Sequence, residues 1–355
     1  MSETKQILDL WKRARAAGDA VCLATVVGIE GSAYRRPGAR MVLTASGQRA
    51  GTVSGGCLEG EIAKKAWWLT EQGASIQRYS SFFDDDLVPG GEMPYGLGCG
   101  GTVVVLLEQG EAAAETLEAL RRSVEERAAS VVVTRLGAKC AGTVLILNEA
   151  GAVRFRREGE PGGRAEALAN EALKARQSQG SEEFYVEYVA PPPALFVFGA
   201  GDDAQPLVEI AAGLDWHVTV ADGRQQLARA ERFPGAARVM GLREGLDAVH
   251  TGDAAVAMTH SYEQDGEVLR ALVPLGLRYL GILGPRRRTE RLVGEIAGEI
   301  GMTVEECLAR LHTPVGLDLG GHSPAAIALS IAAELQAVLA GREAKKLSAA
   351  KLIHA

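Results

Sequence analysis

Two cysteines stand among neighbours that suggest chemistry. Cys57 follows Gly55 and Gly56, and Cys99 lies between Gly98 and the pair Gly100 and Gly101. A thiol set in glycine is not placed to fill a core, and bare backbone there lets N–H groups converge on an anion or a sulfur. Cys57 also opens an expected helix, Leu58 to Gln72, and a helix N-terminus lowers a thiol pKa and raises its thiolate fraction. The plainer alternative is that both cysteines simply occupy tight turns. Cys22, Cys140 and Cys307, in apolar surroundings, read as buried hydrophobes. A third loop, Gly31 to Gly38, offers Arg35 and Arg36 between glycines, a fit for phosphate or another oxyanion. Asp84 to Asp86 resemble a cation run, but with no ligands at a recognised spacing they read as a solvated loop.

The second half carries a different signal. Gly199, Ala200 and Gly201 follow an expected strand and open a helix, the context a dinucleotide fingerprint requires. Asp222, 21 residues past Gly201, ends the next strand, where an acid would accept hydrogen bonds from ribose hydroxyls. Asp202 and Asp203 complicate this reading. They put negative charge where a pyrophosphate needs the helix dipole, and they would stabilise the helix themselves. His260, on the loop after a later strand, is a candidate acid, base or ligand, or a plain surface histidine. Arg286, Arg287 and Arg288 follow Gly284 and Pro285 at a helix start, as an anion site or a solvated basic turn.

The elements that must position these residues follow from hydrophobic periodicity. Ile7, Leu8, Trp11 and Ala14 share one helical face. A strand over 21–27, a loop from Gly28 to Gly38 and strands over 40–44 and 49–53 follow. A polar stretch from Ser80 to Tyr95 leads to a strand over 102–107. Helices over 111–127 and 164–177 then alternate with strands over 131–135, 143–147, 153–156 and 184–189, a mixed α+β domain. Pro191 to Pro193 mark a boundary. Beyond it, strands over 195–198, 217–220, 238–240, 254–258 and 278–283 alternate with helices over 203–213, 225–232, 263–275 and 287–300, and an apolar helix from Ser323 to Ala340 closes the pattern. Such alternation implies a Rossmann-like, doubly wound parallel sheet. The division is therefore 1–190, 191–343 and a charged tail, 344–355.

Composition limits the function classes. Glycine makes up 43 of 355 residues, about 12% against a usual 7% or so, and fourteen of them fall in two clusters, Gly28 to Gly60 and Gly90 to Gly101. Five cysteines without a CxxC pair argue against a disulfide framework and a zinc knuckle. A net charge of −7 gives no electrostatic case for nucleic acid or an anionic membrane. No signal peptide or membrane-length apolar run is readable, which places the protein in the cytoplasm.

Five stretches together resemble the XdhC/CoxI family of accessory proteins that mature xanthine dehydrogenase and related molybdenum hydroxylases. They are GSAYRRPGARMVLTASGQRAGTVSGGCLEGEI (Gly31 to Ile62), GLGCGGTVVVLLE (Gly96 to Glu108), FVFGAGDDAQPLVEIAAGLDWHVTVADGR (Phe196 to Arg224), YLGILGPRRR (Tyr279 to Arg288) and PVGLDLGGHSPAAIALSIAAEL (Pro314 to Leu335). SGGCLE and GCGG are the specific elements. The resemblance implies a chaperone rather than a turnover enzyme. Such a protein binds the molybdenum cofactor (molybdopterin), shelters it while a cysteine desulfurase supplies a sulfido ligand, and delivers it to a client such as xanthine dehydrogenase. It further implies that Cys57 and Cys99 touch the molybdenum or its sulfur, that Arg35, Arg36 and Arg286 to Arg288 hold the pterin phosphate, and that the protein is a homodimer. Two departures stand out. The family often has His where this chain has Asp202, which weakens standard dinucleotide binding, and Gly321-His322-Ser323 replace the usual acidic residues, which gives His322 a subclass-specific role. The alternative is an NAD(P)-dependent oxidoreductase built on Gly199, Gly201 and Asp222.

Overall fold

The computed structural model describes residues 2–56, 58–80, 101–137, 140–159, 162–346 and 348. Two compact units divide the chain, one holding Glu3–Pro191 and the other beginning at Pro192.

The first unit starts with α1 (Glu3–Ala17), then β1 (Val21–Gly31), β2 (Arg40–Thr44), β3 (Arg49–Gly51), α2 (Glu59–Leu69), β4 (Ser75–Ser80), β5 (Gly101–Gln109) and α3 (Gly110–Glu125). The five strands form an antiparallel sheet in the order β3-β2-β1-β5-β4. Alternation along β1 sends Cys22, Ala24 and Val26 toward Leu58, Ile62 and Ala66 beside α2, and Leu23 toward α1 and α3. A second sheet, β8-β7-β6-β10-β9, is built from β6 (Ser130–Arg135), β7 (Gly142–Asn148), β8 (Val153–Arg156), β9 (Gln179–Gly180) and β10 (Phe184–Val189). Its apolar face is covered by α4 (Gly162–Ala175). Helix α3 serves both sheets, with Leu117 against the first and Ala119 against the second.

The second unit is an open parallel sheet, β13-β12-β11-β14-β15. It is formed by β11 (Ala194–Phe198), α5 (Ala204–Gly213), β12 (His217–Asp222), β13 (Arg238–Gly241), α6 (Leu242–Asp247), β14 (Ala254–Ala257), α7 (Tyr262–Leu272), β15 (Tyr279–Ile282), α8 (Arg286–Ile296), α9 (Val304–Ala309) and α10 (Pro324–Leu339). Phe196 and Phe198 face α6 to α9, while Leu195 and Val197 face α5 and α10. This is the doubly wound Rossmann arrangement, with the order reversing between β11 and β14.

Several sequence expectations are corrected. The first strand does not stop at Val27; it bulges between Val26 and Gly28 and runs on to Gly31, pairing Gly28 to Gly31 with Val104 to Gly101. The strand β4 was not anticipated, because its Gln77 and Arg78 break an apolar pattern; it is an edge strand paired only with β5 among the described residues. The helix expected over 225–232 is a single 3-10 turn at Ala230–Arg232. There Arg232 donates to the carbonyls of Ala200 and Leu227 at 2.6 and 2.9 Å, and Arg224 turns back onto Asp222. Cys140 is exposed rather than buried, whereas Cys22 and Cys307 are buried as expected. Asp84 to Asp86 lie outside the described residues.

Candidate functional site

Cys57, Cys99, Gly98 and Gly100 lie outside the described residues, which include Gly56 and Leu58 on either side of Cys57 and Gly101 at the end of the second cysteine motif. The turn leading to Cys57 is closed by its own motif. Ser54 Oγ donates to Glu59 Oε2 at 2.7 Å and accepts from the amides of Gly56 and Leu58 at 3.2 and 3.1 Å. That uses the hydroxyl's full capacity of one donor and two acceptors. Glu59 Oε1 accepts in addition from the amides of Val53 and Ser54 at 3.1 and 2.9 Å. Burial pushes the Glu59 carboxyl up, but its bonds from Ser54 and Val53 outweigh this and hold it below its usual value. The amides flanking position 57 are thereby fixed at the start of α2.

Glycine is required where this turn is tightest. Gly56 has φ of +107°, in the left-handed region. At Gly55 a Cβ would sit 3.4 Å from the ring of Tyr34, which lies over the turn while remaining 67% exposed. Beside it, Glu3 at the start of α1 accepts from the amide and hydroxyl of Thr52 at 2.8 and 2.9 Å and pairs with Arg35. Arg35 Nε is buried and has no partner among the described residues, while the side chain as a whole is part-exposed. Arg36 is exposed in the same loop. The second motif arrives at this loop too. Gly101 pairs with Gly31, and a Cβ on it would overlap the carbonyl of Ser32. One short segment, residues 32–39, thus adjoins the turn before Cys57 and the last glycine of the motif that holds Cys99.

In the second unit, Gly199 has φ of +126°, and a Cβ there would overlap the Met258 carbonyl, so β11 and β14 could not approach as they do. Asp222 corrects the sequence expectation. Its carboxylate is fully buried; Oδ2 accepts from the Ala200 amide and Arg224 Nη2, both at 2.7 Å, and Oδ1 from the Arg224 amide and Nε at 2.8 and 2.9 Å. Four acceptor positions are filled, which leaves none for a ribose. Burial raises this carboxyl and the bonds from Arg224 and Ala200 more than offset it, so its pKa is lowered.

Asp203 stands at the N-cap of α5, and its side chain makes no capping hydrogen bond there. It meets His260 instead, with Oδ2 and Nε2 2.7 Å apart, and His260 takes a left-handed backbone, φ +59°. A Cβ at Gly201 would overlap Asp203 Oδ1. Asp202 pairs with Arg232 at 2.6 Å. The crevice at the carboxyl ends of β11 and β14 therefore presents acid and imidazole where a pyrophosphate would call for bare amides. Arg286 pairs with Glu290 at 2.8 Å, Arg288 with the buried Asp265 at 2.7 Å, and Arg287 is exposed on α8. His322 is exposed before α10. Among the described residues no group of three or more His, Cys, Asp or Glu could hold a metal ion, and no helix is long and apolar enough to cross a membrane.

Sequence reasoning missed Glu3, Thr52 and Tyr34, which come together only through tertiary packing. Ser54 and Glu59 were within reach, as a hydroxyl and an acid bracketing Gly-Gly-Cys at the mouth of a helix.

The chain matches two family models, the XdhC Rossmann domain over residues 195–335 and the XdhC and CoxI family over residues 14–80. It is 31% identical over 327 residues to a Bacillus subtilis protein named as a probable xanthine dehydrogenase subunit, spanning 88% of this chain and 91% of that one. It is 26% identical over 339 residues to the Escherichia coli molybdenum cofactor insertion chaperone PaoD, across 94% and 88% of the two chains. A Bacillus halodurans crystal structure described as a xanthine dehydrogenase superposes with a TM-score of 0.76 at 26% identity, covering 99% of this chain and 98% of that one. With a full-length relative at this identity and matching models in both halves, the chain belongs to the XdhC and CoxI family.

Proposed function

We propose that this protein takes the molybdenum cofactor as cargo, shelters it during sulfuration by a cysteine desulfurase, and passes it to a molybdenum hydroxylase of the xanthine dehydrogenase type. The observation that carries the reading is the closed turn at Ser54 to Glu59 with Arg35 fastened beside it by Glu3. The relatives support it, one by its name as an insertion chaperone and one by its name as part of a xanthine dehydrogenase. The residues suit such cargo chemically. A thiolate at Cys57 is a soft ligand for molybdenum or its sulfur, and the part-exposed guanidinium of Arg35 suits the pterin phosphate. Cys99 would supply a second thiol from the motif that ends at Gly101. An oxidoreductase role for the Rossmann unit draws no support from Asp222, whose oxygens are spent inside the protein.

Anaerobic incubation with released molybdenum cofactor, followed by gel filtration, tests this directly. Molybdenum and oxidised-pterin fluorescence should coelute with the protein in about equimolar amounts. Cys57→Ser and Arg35→Ala should each lower retention by roughly tenfold, about 1.4 kcal/mol. Wild-type protein that elutes free of both metal and pterin removes the cargo reading.

A further inference from the structure

A cleft of about 900 Å³ opens between the two sheets of the first unit. Its walls are Val27, Ile76, Val104 and Leu136, with Tyr185 of β10 facing them. Alternation along β1 puts Val27 on this side, away from the core that takes Val26, and the bulge after Val26 brings Gly28 and Glu30 to the same side, opposite Val104 and Thr102. Bulges of this kind re-aim side chains beside binding sites.

The rim decides what such a cleft would accept. It carries the carboxylates of Glu30 and Glu182 and the amide of Gln179, and Arg78 is the one cation among the described lining residues. That cation is already neutralised, with Nη2 2.6 Å from both oxygens of Glu30. Among the described residues an anion would find acceptors here and no unpaired positive charge. A flat, uncharged heterocycle with an N–H edge fits better, since apolar walls cover ring faces while carboxylates and an amide meet ring donors.

The cleft shares a loop with the site already described. Pro37 lines it, and Pro37 belongs to the loop that carries Tyr34 over the glycine turn and Arg35 onto Glu3. Pro37 lies two positions along the chain from Arg35, no more than about 7 Å. Gly38 keeps this wall close, because a Cβ there would meet Glu187 Oε1 at 3.0 Å and the Tyr185 hydroxyl at 3.4 Å.

We infer that this cleft holds the pterin ring system of the cargo, with Glu30 and Glu182 facing its amino edge, while Arg35 at the far side of the same loop takes the phosphate. The inference rests on the cargo reading and adds a place for the ring. Unphosphorylated pterin separates the two, because it presents the ring without phosphate or metal. Titrated against the full chain and followed by its fluorescence, it should bind the wild type and Arg35→Ala alike. Ile76→Trp, which fills the cleft from an edge strand, should weaken it at least tenfold and should lower retention of the intact cofactor as well. Leu136→Trp fills the opposite wall and serves as the second variant should the first unfold, with circular dichroism checking both. Unchanged cofactor retention in a folded cleft variant overturns the ring site and leaves the cargo reading standing. Pterin binding that depends on Ile76 in a protein that retains no cofactor upholds the ring site and removes the cargo reading. Absence of both kinds of binding in the wild type removes the two together.

Discussion

Glu59 shows how much one carboxylate can organise. It is 3% exposed and receives two amides and a hydroxyl. In Glu59→Gln the new NH2 group would face donors, so we expect a loss of about 1–3 kcal/mol in stability and a looser turn before Cys57. The sign with pH follows from linkage. The folded-state pKa is depressed below the ordinary 4.5, so the stabilisation is fully present above that value and fades as pH falls through the lowered one. Urea titrations at pH 7 and pH 3 should show the gap between wild type and Glu59→Gln narrowing in acid; a constant gap would assign the effect to shape rather than charge. At this scale the sequence was half legible. Glycines around a cysteine marked the place, but the partner of Arg35 lies 32 residues away and no local pattern announces it. Asp222 misled for a related reason. Its spacing matched a ribose-binding acid, and only the packed structure shows Arg224, two residues on, folded back to occupy it.

Among elements, the parallel sheet was readable because strands alternate with helices at regular intervals, and the first unit was less so. Its edge strand β4 carries Gln77 and Arg78 where a core strand would be apolar, and in the second unit α6 and α9 are only six residues each. For α9 a signal existed in the capping box of Thr303 and Glu306. The contact of β11 with β14 depends on Gly199. Gly199→Ala must leave the left-handed backbone and clear the Met258 carbonyl, which should cost roughly 3 kcal/mol or more. Thermal unfolding measures it, and a change in midpoint below about 2 °C would contradict the close approach. In the first unit, Arg40 of β2 meets Glu187 of β10 across the two sheets at 2.9 and 2.5 Å, with the side chains 6% and 12% exposed. Removing one partner strands the other charge. Glu187→Leu alone should therefore cost about 3–5 kcal/mol, and Arg40→Met with Glu187→Leu distinctly less. A double variant as unstable as the sum of the singles would show that the two groups do not act as a pair.

At the scale of the whole molecule, each unit owns its hydrophobic clusters. Those of the Rossmann unit draw on residues from Ala194 onward. A fragment beginning at Pro192 should accordingly unfold cooperatively by itself in a urea titration followed by circular dichroism; a featureless, gradual loss of signal would argue against an independent unit. The run of three prolines spans the break between the units, whereas the two-sheet build of the first unit has no comparable mark in the sequence. The position of Glu3 has a practical side for anyone preparing the protein. Its carboxylate, in the first turn of α1, anchors both Thr52 and Arg35, so an affinity tag fused directly ahead of it would crowd the anchor of the loop over residues 32–39. Under the proposed function, preparations tagged at opposite ends should then differ in how much cofactor they retain, and a comparison of batches that ignores tag placement would mistake a handling effect for a property of the protein.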